Sequence, residues 1–177
     1  MARLVLGVGG SIAAYKAVDL CSKCVQAGHE VEVVLTRMAE RFLRPLSFAA
    51  LTHRPVLTDA TWGEGERPAA HLTATEHAQL LVVAPATADL IGKFANGIAD
   101  DMLTTTYLGA PCPVLVAPAM NQRMWRHPRV RANVERLRAD GVTIVEPGSG
   151  YLAEGDVGPG RLAEPAEILA AITMALR

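Results

Sequence analysis

The sequence predicts one α/β domain over residues 1–177, built on a Rossmann-like, doubly wound parallel sheet. Helical segments separate five short runs with strand character, and continuous apolar runs such as residues 80–84 and 114–117 lack the polar alternation of half-exposed strands. Parallel strands that are covered on both faces by crossover helices produce this pattern. A length of 177 residues is also typical of a single domain with a substantial core.

The predicted elements alternate along the chain. A strand over residues 4–8 leads into a helix from Ser11 to Gln26, which Gly28 ends, and a second strand covers residues 30–35. The later predicted elements are a short helix over residues 36–43, a strand over 80–84, helical segments across 88–108 that break near Gly97, a strand over 114–117, a helix over 129–138, a strand over 142–145 and a final amphipathic helix over 166–176.

Two segments rich in glycine and proline, residues 61–70 and 147–165, interrupt this alternation. A loop of nearly 20 residues inside a compact domain is usually functional or disordered. We therefore expect the second segment to take part in function.

The composition narrows the class of protein. Hydrophobic residues make up 50% of the chain and aromatic residues 5%, so Ala, Val, Leu and Ile form the core. This high apolar fraction predicts surface that is covered by further copies of the chain. The net charge of -1 gives no reason to expect nucleic acid or an anionic membrane as a partner. Because no apolar run approaches the roughly 20 residues that span a bilayer, and no signal peptide is recognisable, we expect a cytoplasmic protein.

The cysteines predict neither a disulfide framework nor a metal site. Cys21 and Cys24 have C-x-x-C spacing, but they lie inside the first predicted helix. Redox pairs depend on a helix N-terminus to stabilise the thiolate. Cys112 is the third cysteine, and no nearby pair of histidines would complete a zinc site. All three are predicted to be structural.

Small polar groups follow the first three strands of the predicted sheet. The Gly-Gly-Ser turn (residues 9–11) joins the first strand to the first helix, where glycines let the backbone approach a phosphate and the helix N-terminus offers free N–H groups. It is not a dinucleotide fingerprint, since Ile12 stands where that motif has its third glycine. Thr36 follows the second strand, and P-A-T-A-D (residues 85–89) ends the third. In parallel sheets such strand ends form ligand sites.

The fourth strand is followed by P-A-M-N-Q-R-M-W, residues 118–125, which we call the motif segment. Asn121 can both donate to and accept from a planar ligand, while Met120, Met124 and Trp125 supply apolar walls. The alternative is an ordinary strand-to-helix turn, with Asn121 as N-cap and the apolar side chains in the core. Polar groups at four strand ends favour one shared ligand.

His71 is the candidate general base among five histidines. It follows the flexible segment over residues 61–70 and precedes Pro85 by fourteen residues. A histidine titrates near neutral pH and is the usual general base.

Together these motifs resemble those of the homo-oligomeric flavin-containing cysteine decarboxylases. Residues 10–16 (G-S-I-A-A-Y-K) resemble the family's turn for the FMN phosphate, and residues 85–90 (P-A-T-A-D-L) resemble its second flavin segment. The motif segment corresponds to the family's long and specific P-x-M-N-x-x-M-W. Residues 155–165 resemble its loop that closes over the substrate, which implies that this chain's closing loop spans about 147–165.

The resemblance also implies roles for individual residues. His71 stands at the catalytic-base position, judged by its distance from residues 85–90, and Asn121 holds the substrate carboxylate. Met124, Ala153 and Arg161 join Asn121 in contacting the substrate. The residues implied to line the flavin are Gly10, Ser11, Ile12, Thr36, Phe42, Thr87, Ala88, Asp89 and Ala119.

The implied activity is FMN-dependent decarboxylation of phosphopantothenoylcysteine to phosphopantetheine in coenzyme A biosynthesis, a carboxy-lyase reaction without a metal. The flavin would oxidise the cysteine moiety to a thioaldehyde, whose C=S is the electron sink for loss of carbon dioxide. FMN is favoured over FAD because Thr36, not an acidic residue, follows the second strand. The implied assembly is a homo-oligomer, a trimer or a dodecamer, with flavin near the subunit contacts.

Glu154 departs from the family pattern. Members that act in coenzyme A biosynthesis commonly have a cysteine there, which donates a proton in the final reduction. A buried glutamic acid with a raised pKa can donate a proton as well, so Glu154 is a third candidate catalytic residue. Two alternatives remain: the reaction ends at the enethiol, or Glu154 is only a solvated loop carboxylate and the proton comes from water or another group.

Two other functions remain open. One is oxidative decarboxylation of a peptide's C-terminal cysteine to an enethiol, and the other is a flavin-binding regulatory subunit without turnover. His71 and Asn121 argue against a regulatory subunit, because a protein that only binds flavin needs neither. Glu154 in place of cysteine argues for a regulatory subunit. The related flavin prenyltransferases share the fold, but the motif segment disfavours them.

Overall fold

The computed structural model describes residues 1–63, 69–151, 155 and 157–177. Within them, the centre of the molecule is a parallel sheet of five strands in the order β2-β1-β3-β4-β5, and a separate antiparallel ribbon pairs β6 with β7. The strands are β1 (Arg3–Val8), β2 (Glu30–Leu35), β3 (Leu80–Ala86), β4 (Val114–Pro118), β5 (Thr143–Ile144), β6 (Gly148–Tyr151) and β7 (Val157–Arg161).

Helices cover both faces of the sheet. Their bounds are α1 (Tyr15–Gln26), α2 (Pro45–Thr52), α3 (Ala70–Thr73), α4 (Ala88–Ala95), α5 (Met102–Gly109), α6 (Gln122–Trp125), α7 (Pro128–Ala139) and α8 (Pro165–Ala175). The first face carries α1, α2 and α8, and the second carries α3, α4, α5 and α7. In the part of the chain that the structure describes, no helix is long and apolar enough to cross a membrane.

The strand β3 shows why the central strands lack polar alternation. All seven of its residues are buried. Leu80 and Val82 pack into the core beneath α1 and α8, whereas Leu81 and Val83 pack into the core beneath α4 and α5. A strand covered on both faces must be apolar at every position. The predicted doubly wound α/β fold is confirmed.

Helix α1 ends as the sequence predicts. Gly28 has a φ of +82°, and its N–H donates to the Val25 carbonyl at 2.9 Å while the His29 N–H donates to the Cys24 carbonyl at 3.1 Å. These two bonds are the Schellman arrangement that a left-handed glycine permits. Within α1, burial raises the pKa of the Cys21 thiol to about 11 and that of Cys24 to about 12, so neither forms a thiolate at neutral pH.

The structure differs from the prediction in three places. The short helix expected over residues 36–43 is a 3-10 turn over Ala39–Arg41. Helices α2 and α3 were not predicted, because α2 is apolar without a polar face and α3 is a single turn. The expected loop over residues 147–165 contains the β6–β7 ribbon, whose glycines and prolines hide its strand pattern.

Candidate functional site

The order of the strands creates a crevice at one edge of the sheet. The strand β1 lies between β2 and β3, so α1 leaves β1 towards one face and α4 leaves β3 towards the other. Ligands of open α/β sheets bind at such a switch point, outside the carboxyl ends of the strands. A cleft of about 1110 Å³ lies there.

The cleft brings together residues that follow four different strands. Eight of the predicted cofactor or substrate residues are among the described residues that line it. They are Gly10, Ser11, Thr36, Thr87, Ala88, Asp89, Ala119 and Met124.

The Gly-Gly-Ser turn is held tightly between its neighbours. The Gly9 N–H donates to the Pro85 carbonyl at 3.0 Å, which ties the end of β1 to the end of β3. A Cβ at Gly10 would overlap Met38, in the loop that follows β2. The Ser11 Oγ accepts the N–H two residues further on at 3.2 Å and so caps the first turn before α1. Only glycine fits at residue 10, and the backbone there faces the cleft.

Two threonine hydroxyls at strand ends also cap turns. The Thr36 Oγ1 accepts the Ala39 N–H at 3.1 Å, and the Thr87 Oγ1 accepts the Leu90 N–H at 3.3 Å at the start of α4. Because both oxygens are used as acceptors, each hydroxyl hydrogen is available to donate into the cleft. An anionic or carbonyl-bearing ligand suits these donors.

The wall formed by α4 and α5 carries an ion-pair network that the sequence analysis did not identify. The Lys93 ammonium lies 3.2 Å from the Asp89 carboxylate and 3.1 Å from that of Asp100. Burial alone would lower the pKa of Lys93, but the hydrogen bonds to Asp100 and Asp89 outweigh burial and raise the pKa. Asp89 and Lys93 are four residues apart, a spacing that predicts an ion pair on one face of a helix, so part of this network could have been recognised in the sequence.

Asn121 begins α6. Its Oδ1 accepts the Arg123 N–H at 2.7 Å, which is the N-cap geometry considered as the alternative interpretation. The neighbouring Met120 and Met124 line the cleft, whereas Asn121 is not among the described lining residues. Trp125 is buried in the core, as that alternative also expected. Asn121 therefore caps a helix at the margin of the cleft, beside two cleft methionines.

The β6–β7 ribbon packs onto the motif segment. The Met120 N–H donates to the Gly160 carbonyl at 2.9 Å. Gly160 has a φ of +134°, and a Cβ there would overlap the Met120 carbonyl oxygen. A Cβ at Gly158 would overlap the Gln122 amide. These two glycines let the ribbon lie directly against the segment that contains Asn121.

The remaining predicted substrate residues belong to this ribbon and its connection. The guanidinium of Arg161 lies over Gly150 and 3.9 Å from the Glu164 carboxylate. Arg161 is not among the described residues that line the cleft. Ala153 and Glu154 lie outside the described residues.

His71 lies in α3 and contacts Trp62, with 5.2 Å between the ring centroids. Its Nδ1 is buried and has no hydrogen-bond partner among the described residues. The described lining of the cleft does not include it. A buried imidazole nitrogen without a protein partner is unusual in a native structure, and the Nδ1 of His29 shares this feature.

Within the described residues, no three side chains of His, Cys, Asp or Glu come together in a metal-binding arrangement. The donors around the cleft are hydroxyls, backbone N–H groups, guanidinium groups and the paired Lys93 ammonium. These donors suit an organic anion.

Comparison with known proteins assigns the chain to a family. A family model described as Flavoprotein matches residues 1–177. The chain belongs to the Flavoprotein family. The predicted family, and the flavin with it, are confirmed.

Individual relatives are similar over nearly the whole of this flavoprotein. It is 52% identical over 166 residues to the coenzyme A biosynthesis bifunctional protein CoaBC of Bacillus subtilis (strain 168), an alignment that covers 94% of this chain and 41% of the relative. The chain thus spans about two fifths of the length of that relative.

Two solved structures share the fold. The FMN-dependent cysteine decarboxylase SpaF matches with a TM-score of 0.86 and 38% identity, covering 99% of this chain and 95% of SpaF. A cysteine-to-serine mutant of a PPC decarboxylase, complexed with pantothenoylaminoethenethiol, matches with a TM-score of 0.88 and 34% identity, covering 98% of this chain and 97% of that one.

Two predicted flavin residues of this flavoprotein face solvent in the single chain. Ile12 is 65% exposed and Phe42 is 47% exposed, and neither is among the described residues that line the cleft. They belong to a set of exposed apolar side chains on the turn before α1, the start of α1, the loop after β2 and the start of α2. This apolar patch consists of Ile12, Tyr15, Met38, Phe42 and Leu46.

Proposed function

We propose that this flavoprotein binds FMN in the cleft and decarboxylates phosphopantothenoylcysteine to phosphopantetheine. The observation that carries the proposal is the convergence of four polar strand ends on one cleft beside the motif segment. The similarity to a protein named for coenzyme A biosynthesis supports this substrate. So does the similarity to a PPC decarboxylase whose structure holds pantothenoylaminoethenethiol.

The residues of the cleft fit FMN. The sheet order β2-β1-β3-β4-β5 is that of other doubly wound FMN proteins, which bind the cofactor at the β1/β3 switch point. Gly10, Ser11 and Thr36 would hold the phosphate, because they combine a close backbone approach, a helix N-terminus and a hydroxyl donor. When bound, FMN supplies the two-electron oxidation and reduction of the cysteine moiety.

Asn121 would orient the substrate carboxylate. Its Oδ1 caps α6, which fixes the side chain, and its amide group would donate to the carboxylate. A carboxylate that accepts from an amide is held without being neutralised, so the carbon–carbon bond to be broken keeps its alignment. The adjacent Met120 and Met124 give the apolar surface that excludes water around this group.

His71 would take the proton when the cysteine moiety is oxidised. Its buried, unpartnered Nδ1 is an acceptor or donor without an assigned task in the described chain. Because His71 is not among the described residues lining the cleft of one chain, the site must extend beyond that lining. The predicted homo-oligomer, with flavin near the subunit contacts, would supply this extension.

The apolar patch supports such an assembly. Met38 contacts Gly10 of the Gly-Gly-Ser turn, Ile12 and Tyr15 follow that turn, and Leu46 is 75% exposed. An apolar area beside a ligand cleft is typical of a contact between subunits. We propose that copies of the chain cover this patch in a trimer or a dodecamer, so that Ile12 and Phe42 reach flavin at the contact.

A second candidate is the oxidative decarboxylation of a peptide's C-terminal cysteine. The similarity to the cysteine decarboxylase SpaF favours it, since that match covers 95% of SpaF. The two candidates differ in substrate and in the fate of the reducing electrons. An enethiol product has lost two more hydrogens than phosphopantetheine.

Mass spectrometry after incubation with phosphopantothenoylcysteine separates these functions. Loss of carbon dioxide alone supports the proposed reaction. Loss of carbon dioxide and two hydrogens indicates an enzyme that stops at the enethiol. If neither this substrate nor a cysteine-terminated peptide yields a decarboxylated product, the chain is a flavin binder and the proposal is wrong.

A further inference from the structure

One wall of the cleft carries two arginines that the proposed reaction has not yet used. Arg37 and Arg41 lie in the loop between β2 and α2; both are exposed and both line the cleft. Among the described residues, no ion pair joins either guanidinium to a carboxylate. Lys93, on the other wall, is instead held between two carboxylates. The two arginines thus supply positive charge that the described chain does not neutralise.

The backbone of this loop is fixed against the Gly-Gly-Ser turn. The Arg41 N–H donates to the Met38 carbonyl at 3.2 Å, and Thr36 caps the same turn. Met38 is the residue that a Cβ at Gly10 would overlap. Arg37 and Arg41 therefore flank the place where the backbone is open to a phosphate, on a turn held by its own hydrogen bonds.

The other charged residues that line the cleft have partners within the chain. The cleft is also lined by four carboxylates and one ammonium, from Asp59, Asp89, Asp100, Asp101 and Lys93. These carboxylates have partners of their own, because Asp89 and Asp100 pair with Lys93 while Asp59 and Asp101 accept backbone N–H groups at the start of α5. An anionic group entering the cleft is therefore attracted to Arg37 and Arg41, which have no carboxylate partner among the described residues. Guanidinium groups bind phosphate through two parallel N–H···O bonds, which an ammonium cannot do.

We propose that Arg37 and Arg41 form a subsite for a phosphate monoester on this wall of the cleft. Two phosphate monoesters meet in the reaction, that of FMN and that of the substrate. Binding of the substrate phosphate rests on the proposed function, whereas binding of the FMN phosphate requires only that the protein binds a flavin nucleotide.

The test compares ligands that differ only in the phosphate. A double variant, Arg37→Ala with Arg41→Ala, is measured for the Kd of FMN and riboflavin, and for the KM of phosphopantothenoylcysteine and pantothenoylcysteine. Arg44→Ala is the matched control, because Arg44 is exposed on the same loop and is not among the described residues lining the cleft.

If the subsite binds the flavin phosphate, the double variant loses about tenfold or more in FMN affinity and keeps its riboflavin affinity. If it binds the substrate phosphate, KM rises about tenfold or more for phosphopantothenoylcysteine alone. Retained riboflavin binding shows that the variant is folded.

Equal effects on the phosphorylated and unphosphorylated partner of each pair, or no effect beyond that of Arg44→Ala, overturn the proposal. The proposed function fails in a different way, since the wild-type protein would then turn over neither substrate. In that case the FMN and riboflavin measurements still decide whether Arg37 and Arg41 bind phosphate.

Discussion

The Lys16 ammonium donates to the Glu164 carboxylate at 2.7 Å and to the Leu162 carbonyl at 3.5 Å. Only 9% of the Lys16 side chain is exposed, whereas 60% of the Glu164 side chain is. Lys16 lies in the first turn of α1, after the Gly-Gly-Ser turn, and Glu164 caps α8, after the β6–β7 ribbon. This pair therefore joins the proposed phosphate end of the cleft to the base of the ribbon.

The first prediction concerns the pH dependence of stability. The hydrogen bond from Lys16 lowers the pKa of Glu164. The unfolded chain then binds more protons than the folded chain in mild acid, so this stabilisation is present at neutral pH and is lost as the pH falls through the folded-state pKa. Glu164→Gln should lose about 1 kcal/mol at pH 7, a small figure because Glu164 is largely exposed.

Urea unfolding of wild type and Glu164→Gln between pH 7 and pH 3 checks this prediction. The difference between them should shrink as the pH falls. A difference that stays constant over this range, or is absent at pH 7, would contradict a stabilising ion pair.

The second prediction concerns the contact between the ribbon and the motif segment. Gly160→Ala places a side chain at a φ of +134° and against the Met120 carbonyl, so it should displace the ribbon and raise the KM for substrate with little change in FMN affinity. Gly148→Ala is the control, because nothing lies within 4 Å of a Cβ there. Equal KM values for the two variants would show that the position of the ribbon does not matter for substrate binding.

The third prediction concerns the general base. His71→Asn should keep FMN but fail to bleach it when substrate is added anaerobically, because oxidation of the cysteine moiety needs a proton acceptor. The control is His77→Asn, on an exposed histidine close in sequence. Stopped-flow absorbance measures the rate of bleaching. If His71→Asn bleaches the flavin at the wild-type rate, His71 is not the general base.

The fourth prediction separates two roles of Asn121. An aspartate caps a helix as well as an asparagine does, so Asn121→Asp should retain stability but repel the substrate carboxylate and weaken substrate binding severely. Asn121→Ala should instead lose about 1 kcal/mol of stability from the lost cap, with a milder rise in KM. Denaturation and steady-state kinetics together test the pair. The role proposed for Asn121 fails if Asn121→Asp binds substrate as tightly as Asn121→Ala.

The fifth prediction concerns the apolar patch. Leu46→Asp places a charge in the proposed subunit contact and should shift the protein towards smaller species in light scattering. Met174→Asp is the control, since Met174 is also exposed and apolar but lies on α8, outside the patch. An unchanged assembly in Leu46→Asp, or a wild-type protein that is a monomer, would refute a contact at this patch.

The order of the main elements and the candidate site residues follow from local patterns. The uninterrupted apolar run of β3 predicts a strand buried on both faces, and Gly28 predicts the end of α1, because each depends only on neighbours in sequence. The small polar residues after four strands predict a ligand at the sheet edge, since parallel strands deliver their ends to one place. The ribbon was not predicted, because its strands consist largely of glycine, serine and proline, which have low strand propensity.

Only the tertiary structure decides which of these residues face one another. The sequence places Lys16 and Glu164 at opposite ends of the chain, and long-range packing of α1 against the start of α8 makes them an ion pair. The tertiary structure likewise shows that Asn121 uses its amide oxygen as a helix cap, and that Ile12 and Phe42 face solvent in the single chain. Residue type and spacing determine what chemistry a side chain offers, whereas the packing of elements distant in sequence determines its partners and its exposure.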